Sequence, residues 1–293
     1  MTRIDAGVAI ETVTLSSPRY PDRLRRIHDP PSVISVRGDL RPDEPAVAVV
    51  GSRRATAAGR VVTERLAAGL ARHGVAVISG LARGIDAVAH RAALEAGGRT
   101  VAVLGCGLDV VYPPEHAALL EAIVRQGCVI SEFPLGTPPL PGHFPQRNRI
   151  IAGLALGVVV VEGDERSGTL STAGHALDAG REVMAVPGSV LNPLSRAPNG
   201  LIRQGAALVE SAEDVLAELG LPLQAARTAS GEPPELPAGP AALVWQAVVG
   251  EPVHIDQVVL VVGLPAGEVA AILIDLELRG LVQQLPGKQF VRI

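Results

Sequence analysis

AVAVVGSRRATAAGRVVTERLAAGLARHGVAVISG (46–80) is the stretch of sequence that decides the fold. It begins and ends with short runs in which valine, isoleucine and alanine follow one another without polar alternation. Such runs are typical of strands that are buried on both faces of a sheet. Between them, Val62, Leu66 and Leu70 recur at helical spacing, and Gly74 provides a C-terminal stop. The pattern therefore predicts a strand, a helix and a second strand parallel to the first.

This unit is repeated along the chain. Segments of helical length separate seven apolar runs, at 46–50, 75–79, 100–105, 128–133, 157–163, 182–187 and 206–210. The repeated order predicts an α/β fold, an extended Rossmann-like domain with a doubly wound, mainly parallel sheet.

Composition shifts divide the chain into four parts. Residues 1–45 are rich in proline and are interpreted as a lead-in segment of turns with room for one short helix. Residues 46–223 form the Rossmann-like domain, and the small, polar, proline-rich stretch 224–240 is interpreted as a linker. Residues 241–293 predict a small C-terminal winged-helix module.

The elements predicted for this module are three helices and a hairpin, at 241–249, 256–262, 265–279 and 281–293. Winged helices often bind DNA through the third helix. Here that helix carries Glu268, Asp275 and Glu277, with Arg279 as its one basic residue. The module is therefore expected to bind a protein or to self-associate.

Composition and charge narrow the class of protein. The 293 residues are 47% hydrophobic and carry a net charge of −4, so a polyanion would have to bind at a focused site. No apolar run approaches the roughly 20 residues needed to cross a bilayer. The first residues include acids and no apolar signal core, and the two cysteines form no metal-binding motif. We expect a soluble cytoplasmic protein with no metal, no cofactor and no membrane association.

The turns after the predicted strands carry a possible anion site. Glycines, hydroxyl side chains and arginines follow the strand ends, and in an open parallel sheet these ends share one edge. The candidates are Gly51, Ser52, Arg53, Arg83, Arg166, Ser167, Gly168 and Thr169. Ordinary turn and capping chemistry is the alternative, and it is the preferred interpretation for Asp86, a helix cap with Arg83 as its ion-pair partner.

The segment PGHFPQRNRII (141–151) opens a predicted helix between the fourth and fifth strands. Arg147 and Arg149 cannot both face the core, and Phe144 is one of three phenylalanines in the chain. A ring beside guanidinium groups is typical of a base-stacking platform with a phosphate clamp. The alternative is a core position for Phe144 and an ion pair of Arg147 with Glu132 or Glu162.

The sequence contains none of the catalytic motifs considered in complete form. The sequence lacks HExxH, a GxSxG elbow and a P-loop, and Gly105-Cys106-Gly107 lacks the third glycine of a dinucleotide fingerprint. Cys106 is interpreted as a small buried side chain rather than a nucleophile. The sequence favours a protein that is not an enzyme.

An ordered set of motifs resembles the DprA/Smf family. The motifs are GSRRAT (51–56), SGLARGID (79–86), GCGLDVVYP (105–113), SEFP (131–134), FPQRNRIIAGLA (144–155), GREVMAVPG (180–188) and NGLIRQGA (199–206). The resemblance implies a non-enzymatic protein of natural transformation (competence) and DNA recombination. It implies that such a protein binds and protects incoming single-stranded DNA, loads the RecA recombinase and works as a homodimer.

The resemblance also implies the DNA-binding residues. They are the GSR turn, the FPxRNR motif and backbone groups near 167–169, that is Gly51, Ser52, Arg53, Phe144, Arg147, Asn148, Arg149, Ser167, Gly168 and Thr169. Pro114, Ala155 and Pro198 depart from the family pattern, and Pro114 stands where many relatives have a basic residue. The alternative function is a Rossmann-type nucleotide-processing enzyme resembling phosphoribohydrolases, although SGT (167–169) only echoes their glycine-rich loop.

Overall fold

A computed structural model of the chain describes residues 9–165, 167–223 and 237–292. Among the features predicted from sequence, Arg166, the first eight residues of the lead-in and most of the linker (224–236) lie outside the described residues. The chain divides into two compact units, one with a nine-stranded sheet and one with a three-stranded sheet.

The nine-stranded sheet contains all seven predicted strands. Its members are β1 (Ile10–Thr14), β2 (Val33–Gly38), β3 (Ala46–Val50), β4 (Ala76–Ser79), β5 (Thr100–Val103), β6 (Cys128–Ser131), β7 (Gly157–Val160), β8 (Glu182–Ala185) and β9 (Ala207–Leu208). Six of the seven predicted strands are shorter than their apolar runs, because the chain turns away at the edge of the sheet. The strands β3 to β9 run parallel in the order β6-β5-β4-β3-β7-β8-β9, which confirms the extended Rossmann-like fold.

Helices cover both faces of this sheet. They are α1 (Asp22–Arg25), α2 (Ala57–Arg72), α3 (Ile85–Glu95), α4 (Ala117–Gln126), α5 (His143–Leu154), α6 (Gly168–Asp178), α7 (Arg196–Arg203) and α8 (Ala212–Glu218). Alternate residues of β3 enter two different cores: Ala48 packs with Ile150 of α5, whereas Val49 packs with Leu66 of α2 and Ile85 of α3. A strand buried on both faces has no polar side to show, which explains its unbroken apolar run.

The lead-in segment contains the predicted short helix, α1, but the prediction of turns for the rest of it is wrong. Besides α1 it contains β1 and β2, which pair with each other in antiparallel fashion and continue the sheet. β2 also pairs antiparallel with β6, with Ser35 opposite Ser131. Ile34 and Val36 of β2 are buried in the core, and Arg37 is buried beside Glu121, 2.7 Å away. The flanking prolines drew the prediction towards turns, whereas burial against β6 makes this segment a strand.

The strand order creates a switch point between β3 and β7. From β3 the chain adds β4, β5 and β6 on one side, and it then returns to add β7, β8 and β9 on the other. The turns that leave the carboxyl ends of β3 and β7 therefore diverge. Ligands of doubly wound sheets bind in the crevice that this divergence opens.

The C-terminal unit has the predicted winged-helix order. Its elements are α9 (Pro240–Ala247), β10 (Val253–His254), α10 (Ile255–Val262), α11 (Ala266–Leu278), β11 (Val282–Leu285) and β12 (Gln289–Arg292). The short strand β10, which was not predicted, joins the hairpin in the order β10-β12-β11. Val244, Leu273 and Phe290 lie in its core.

Within the described ranges, no single helix is both long and apolar enough to cross a membrane. Taken together, α10 and α11 reach that length and apolarity, but the pair is bent by 112° at the turn between them.

Candidate functional site

A crevice of about 880 Å³ opens at the switch point. Its walls come from the turn after β3, the start of α5 and the start of α6. The residues used below to define this switch-point crevice are Gly51, Ser52, Arg53, Arg54, Tyr112, Phe144, Arg147, Asn148, Asp164, Ser167, Gly168 and Thr169. Nine of the eleven predicted site residues with described positions are among them, together with three that were not predicted: Arg54, Tyr112 and Asp164.

Arg53 and Phe144 lie together in the crevice. The Arg53 guanidinium carbon lies 5.2 Å from the centre of the Phe144 ring, and Arg53 is exposed. Within the described part of the chain, Arg53 has no carboxylate partner. The Tyr112 ring lies 5.6 Å from the Phe144 ring at a tilt of 39°. Phe144 is half-buried and borders the crevice, so the alternative core position for it is wrong.

The turn Gly51–Arg54 is held by the start of α3. The Ile85 amide donates a hydrogen bond to the Ser52 carbonyl oxygen, 3.1 Å away. Gly84 has a φ of +76°, and a Cβ there would collide with the same carbonyl. Only glycine allows this close approach of the two turns. The position of Arg53 is therefore fixed by backbone packing rather than by a side-chain partner.

The N-terminus of α6 forms the opposite wall. Ser167 caps the helix, its Oγ accepting from the Thr169 amide at 3.3 Å, and Asn148 Nδ2 donates to the Gly168 carbonyl at 3.3 Å. The Thr169 hydroxyl is buried and has no hydrogen-bond partner among the described residues. The first amides of a helix carry partial positive charge. These groups can bind an anion, and the exposed carboxylate of Asp164 lies at the same rim.

Arg147 was predicted to bind phosphate as part of an open clamp, but its side chain is buried. It is 4% exposed, and its Nη1 donates to the carbonyl oxygens of Gly80, at 2.9 Å, and of Val103. Burial lowers the pKa of Arg147 to about 10, so its charge is kept at neutral pH. The predicted alternative, an ion pair with Glu132 or Glu162, is also wrong, because the described partners of Arg147 are main-chain oxygens.

Arg149 lies outside the switch-point crevice, so its predicted contact with a ligand there is not supported. Its Nη1 and Nη2 bind the two carboxylate oxygens of Glu132 at 2.6 and 2.8 Å, and its Nε lies 3.2 Å from Asp29. This hydrogen bonding raises the pKa of Arg149. On α5, Arg147 and Arg149 are two residues apart and therefore point to different sides of the helix.

Arg83 also differs from its prediction. Its Nε is hydrogen-bonded to Glu115 at 2.5 Å, an exposed ion pair at the edge of a small pocket shared with Phe144 and Tyr112. This bond lowers the pKa of Glu115 and raises that of Arg83. Arg83 thus lies near the switch-point crevice but is neutralised by a neighbouring carboxylate.

Asp86 is more than a helix cap. It lies in the first turn of α3 and is 7% exposed, and its Oδ2 accepts from the amides of Gly80 and Ala82 at 3.1 and 3.3 Å. The predicted ion pair with Arg83 is wrong, because Arg83 pairs with Glu115 instead. Burial raises the pKa of Asp86, while Arg147 and the two amides act in the opposite direction.

Nucleophile and metal chemistry have little support in the described residues. Cys106 is 2% exposed, and burial raises the pKa of its thiol to about 11, which confirms its interpretation as a buried small side chain. No group of three or more histidine, cysteine or acidic side chains in the described ranges is placed to hold a metal ion.

Three crevice residues were not chosen from the sequence. Arg54 directly follows Arg53, and Tyr112 and Asp164 follow the ends of β5 and β7 in the chain. The signal for Arg54 and Tyr112 was present, since both stand in turns after predicted strands. Tyr112 lies beside Phe144, which is 32 residues further along the chain. This contact depends on the tertiary fold and could not be predicted from the sequence.

Residues 11–220 match the family model of DNA recombination-mediator protein A, and residues 224–288 match that of the DprA winged helix domain. The chain belongs to the DNA recombination-mediator protein A family. It is 44% identical to DNA processing protein DprA of Bacillus subtilis, over 72% of this chain and 71% of that protein. Family membership confirms the resemblance to DprA/Smf proteins that the motifs indicated.

Two solved structures of the family share this fold. The structure of DNA processing protein A from Streptococcus pneumoniae matches with a TM-score of 0.68 and 45% identity, covering 71% of this chain and 74% of that one. That from Helicobacter pylori, solved for its single-stranded DNA binding mode, matches with a TM-score of 0.66 and 28% identity. It covers 73% of this chain and 96% of that chain.

Proposed function

We propose that this protein is a non-enzymatic recombination mediator that binds single-stranded DNA in the switch-point crevice. The observation that carries the proposal is the exposed Arg53 guanidinium over the half-buried Phe144 ring, both of which line the crevice. Phe144 can stack on a base, while Arg53 and the start of α6 bind phosphate oxygens. The Helicobacter relative, whose structure concerns single-stranded DNA binding, supports the same ligand for this chain.

The experiment is a fluorescence anisotropy titration with matched single-stranded and double-stranded oligonucleotides. Stacking is worth about 1–3 kcal/mol per base and needs an unpaired base, so the single strand should bind at least about fivefold more tightly than the duplex. Little dependence on base sequence is expected, because every base has a stacking face. Equal affinity for the two forms, or binding to neither, would contradict the proposal.

The enzymatic alternative has a separate test. A phosphoribohydrolase would release free base from a nucleoside monophosphate, and chromatography after incubation with the protein detects that base. Asp86 also lines the crevice, and among the described lining residues the carboxylates are Asp86, buried against two amides, and Asp164. Release of base at a rate dependent on protein concentration would replace the proposed function by this one.

We further propose that the protein acts as a homodimer in the cytoplasm, protecting incoming DNA during natural transformation and loading RecA onto it. A second groove of about 590 Å³, lined by Leu170, Val190 and Leu208, offers an apolar surface for a second copy. Val190 is 87% exposed, and Leu208 lies on the edge strand β9. Sedimentation velocity reports the dimer, and RecA filament formation on coated single strands reports the loading.

Substitution of Glu115 should increase DNA affinity. Glu115→Gln removes the carboxylate that neutralises Arg83 beside Phe144. Because this pair is exposed, the gain is expected to be about two- to fivefold at low salt and to vanish at high salt. The matched control is Glu218→Gln, the same charge change on an exposed residue of α8. An equal gain in both variants would show that only net charge changed.

Removal of the winged-helix module should leave DNA affinity nearly unchanged. Residues 224–293 hold four basic and seven acidic residues. Arg279 pairs with Asp275 at 3.0 Å, and Arg292 donates to main-chain carbonyls and stacks over Trp245 at 4.0 Å. We therefore propose a protein-binding or self-association role for this module. Deletion of 224–293 should change the oligonucleotide Kd by less than about twofold, since few positive charges are lost; a loss of tenfold or more would contradict this role.

A further inference from the structure

Two faces of α5 have different roles at the sheet edge. Residues four apart on a helix share a face, so His143 lies above Arg147 and Phe144 lies above Asn148. His143 Nδ1 lies 3.2 Å from the Gly105 carbonyl, and Arg147 Nη1 donates to the carbonyls at the ends of β4 and β5. One face thus binds the strand ends, and the neighbouring face carries Phe144 and Asn148 into the crevice.

The seat of Arg147 is shaped for a guanidinium. A Cβ at Gly80 would collide with Arg147 Nη2, so the planar group lies flat against this glycine. One nitrogen, Nη1, contacts the carbonyls of two different strand ends, Gly80 after β4 and Val103 in β5. The ammonium group of lysine has neither the planar shape nor the reach of this fork.

Asp86 extends this arrangement to the turns on the other side. It accepts from the Gly80 and Ala82 amides and attracts Arg147. The next residue towards the N-terminus, Ile85, holds the Ser52 carbonyl and with it the turn that carries Arg53. Asp86 and Arg147, which we call the buried hub, therefore connect the turns after β3 and β4, the end of β5 and the start of α5.

We infer that Arg147 is a positioning residue for the base platform and not a phosphate ligand. By seating α5 on the ends of β4 and β5, it places the Phe144 ring beneath Arg53 and beside Tyr112. Its own Nη1 is engaged by main-chain oxygens, and the side chain is 4% exposed, which leaves it poorly placed to meet a phosphate. This inference rests on the proposed function, because it names how the site for an unpaired base is held.

The experiment compares an intact oligonucleotide with one in which every base is replaced by an abasic spacer. The readout is the ratio of their Kd values for each protein, which does not depend on the fraction of active protein. For the wild type, the intact strand should bind about 5- to 150-fold more tightly, the range that stacking of one base supplies. In Phe144→Ala the ratio should fall towards one. If Arg147 acts through Phe144, Arg147→Met should lower the ratio in the same way.

Two further variants make the comparison specific. Arg149→Met removes another arginine of α5. Because Arg149 is paired with Glu132 outside the crevice, this variant should have the same ratio of Kd values as the wild type. The double variant Asp86→Asn/Arg147→Met removes the charges of both hub residues. If Arg147→Met alone fails to fold, we expect this double variant to fold. Its ratio of Kd values should be lower than that of the wild type. A folded Arg147 variant with the wild-type ratio overturns the inference, since a structural defect or a lost phosphate contact weakens both strands equally.

The salt dependence and a complex of the wild type complete the test. Loss of a phosphate ligand lowers the slope of log K against log salt by about 0.7 for a single strand, whereas loss of a positioning residue leaves it unchanged. A crystal structure of the wild type with an oligonucleotide should show a base on Phe144 and no phosphate oxygen in contact with Arg147. Such a contact would overturn the inference while leaving the proposed function standing. A wild type that binds neither strand would overturn both.

Discussion

Arg53→Ala should weaken binding of a single-stranded oligonucleotide about 10- to 100-fold at low salt. A hydrogen bond to a charged group contributes about 1.5–3 kcal/mol, and the alanine variant loses both the phosphate contact and one side of the stacking platform. Arg53 is exposed and stands over the Phe144 ring, so the variant should fold as the wild type does. Anisotropy titrations between low and high salt should also give a slope lower by about 0.7.

Two controls separate the position of Arg53 from its charge. Arg125→Ala makes the same charge change on an exposed residue of α4, away from the crevice, and should alter the Kd by less than about twofold once salt screens it. Arg53→Lys keeps the charge and should keep the slope, but it lacks the planar group that stacks on a ring. An Arg53→Ala protein that is folded and has wild-type affinity and slope would refute the proposed site.

Asp86→Ala should lower the free energy of unfolding by about 3–5 kcal/mol. The substitution removes a buried carboxylate that acts electrostatically on the buried guanidinium of Arg147, and leaving a buried charge uncompensated typically costs about this much. It also removes the acceptor for the amides of Gly80 and Ala82. Urea denaturation followed by far-UV circular dichroism measures the change, because the only tryptophan, Trp245, lies in the winged-helix unit.

The double variant Asp86→Ala/Arg147→Met is the control for this prediction. Replacing both charges by neutral groups should recover part of the lost stability, since no unpaired charge then stays buried. Its oligonucleotide affinity should nevertheless remain low, because α5 is no longer held on the strand ends. A single Asp86→Ala variant as stable as the wild type would show that Asp86 and Arg147 do not depend on each other.

The sheet could be predicted largely from the sequence because its strands are buried on both faces. In β3 every side chain is buried, and such a strand has an unbroken apolar run that needs no knowledge of its neighbours. The two strands of the lead-in segment, β1 and β2, are different. In β1 four of five residues are exposed, and β2 becomes a strand by pairing with β6, almost a hundred residues away. A segment whose partner is remote carries only a weak local signal.

The candidate site was predicted in part for the same reason. Gly51, Ser52 and Arg53 follow a predicted strand, and the carboxyl ends of parallel strands share an edge, so their common location followed from sequence order. The three arginines Arg83, Arg147 and Arg149 could not be assigned in this way. Their partners, Glu115, the carbonyls of Gly80 and Val103, and Glu132, are set by which turns meet in space.

Sequence by itself determined the α/β architecture, the winged-helix order and the family, and it predicted the edge of the sheet at which we propose that DNA binds. These properties depend on the period and order of apolar residues, which the local chain carries. Tertiary structure alone decided which guanidinium is available to a ligand. An arginine is long enough to reach a carboxylate, a carbonyl or solvent, and only the packed fold leaves Arg53 over an aromatic ring while it buries Arg147 and pairs Arg149.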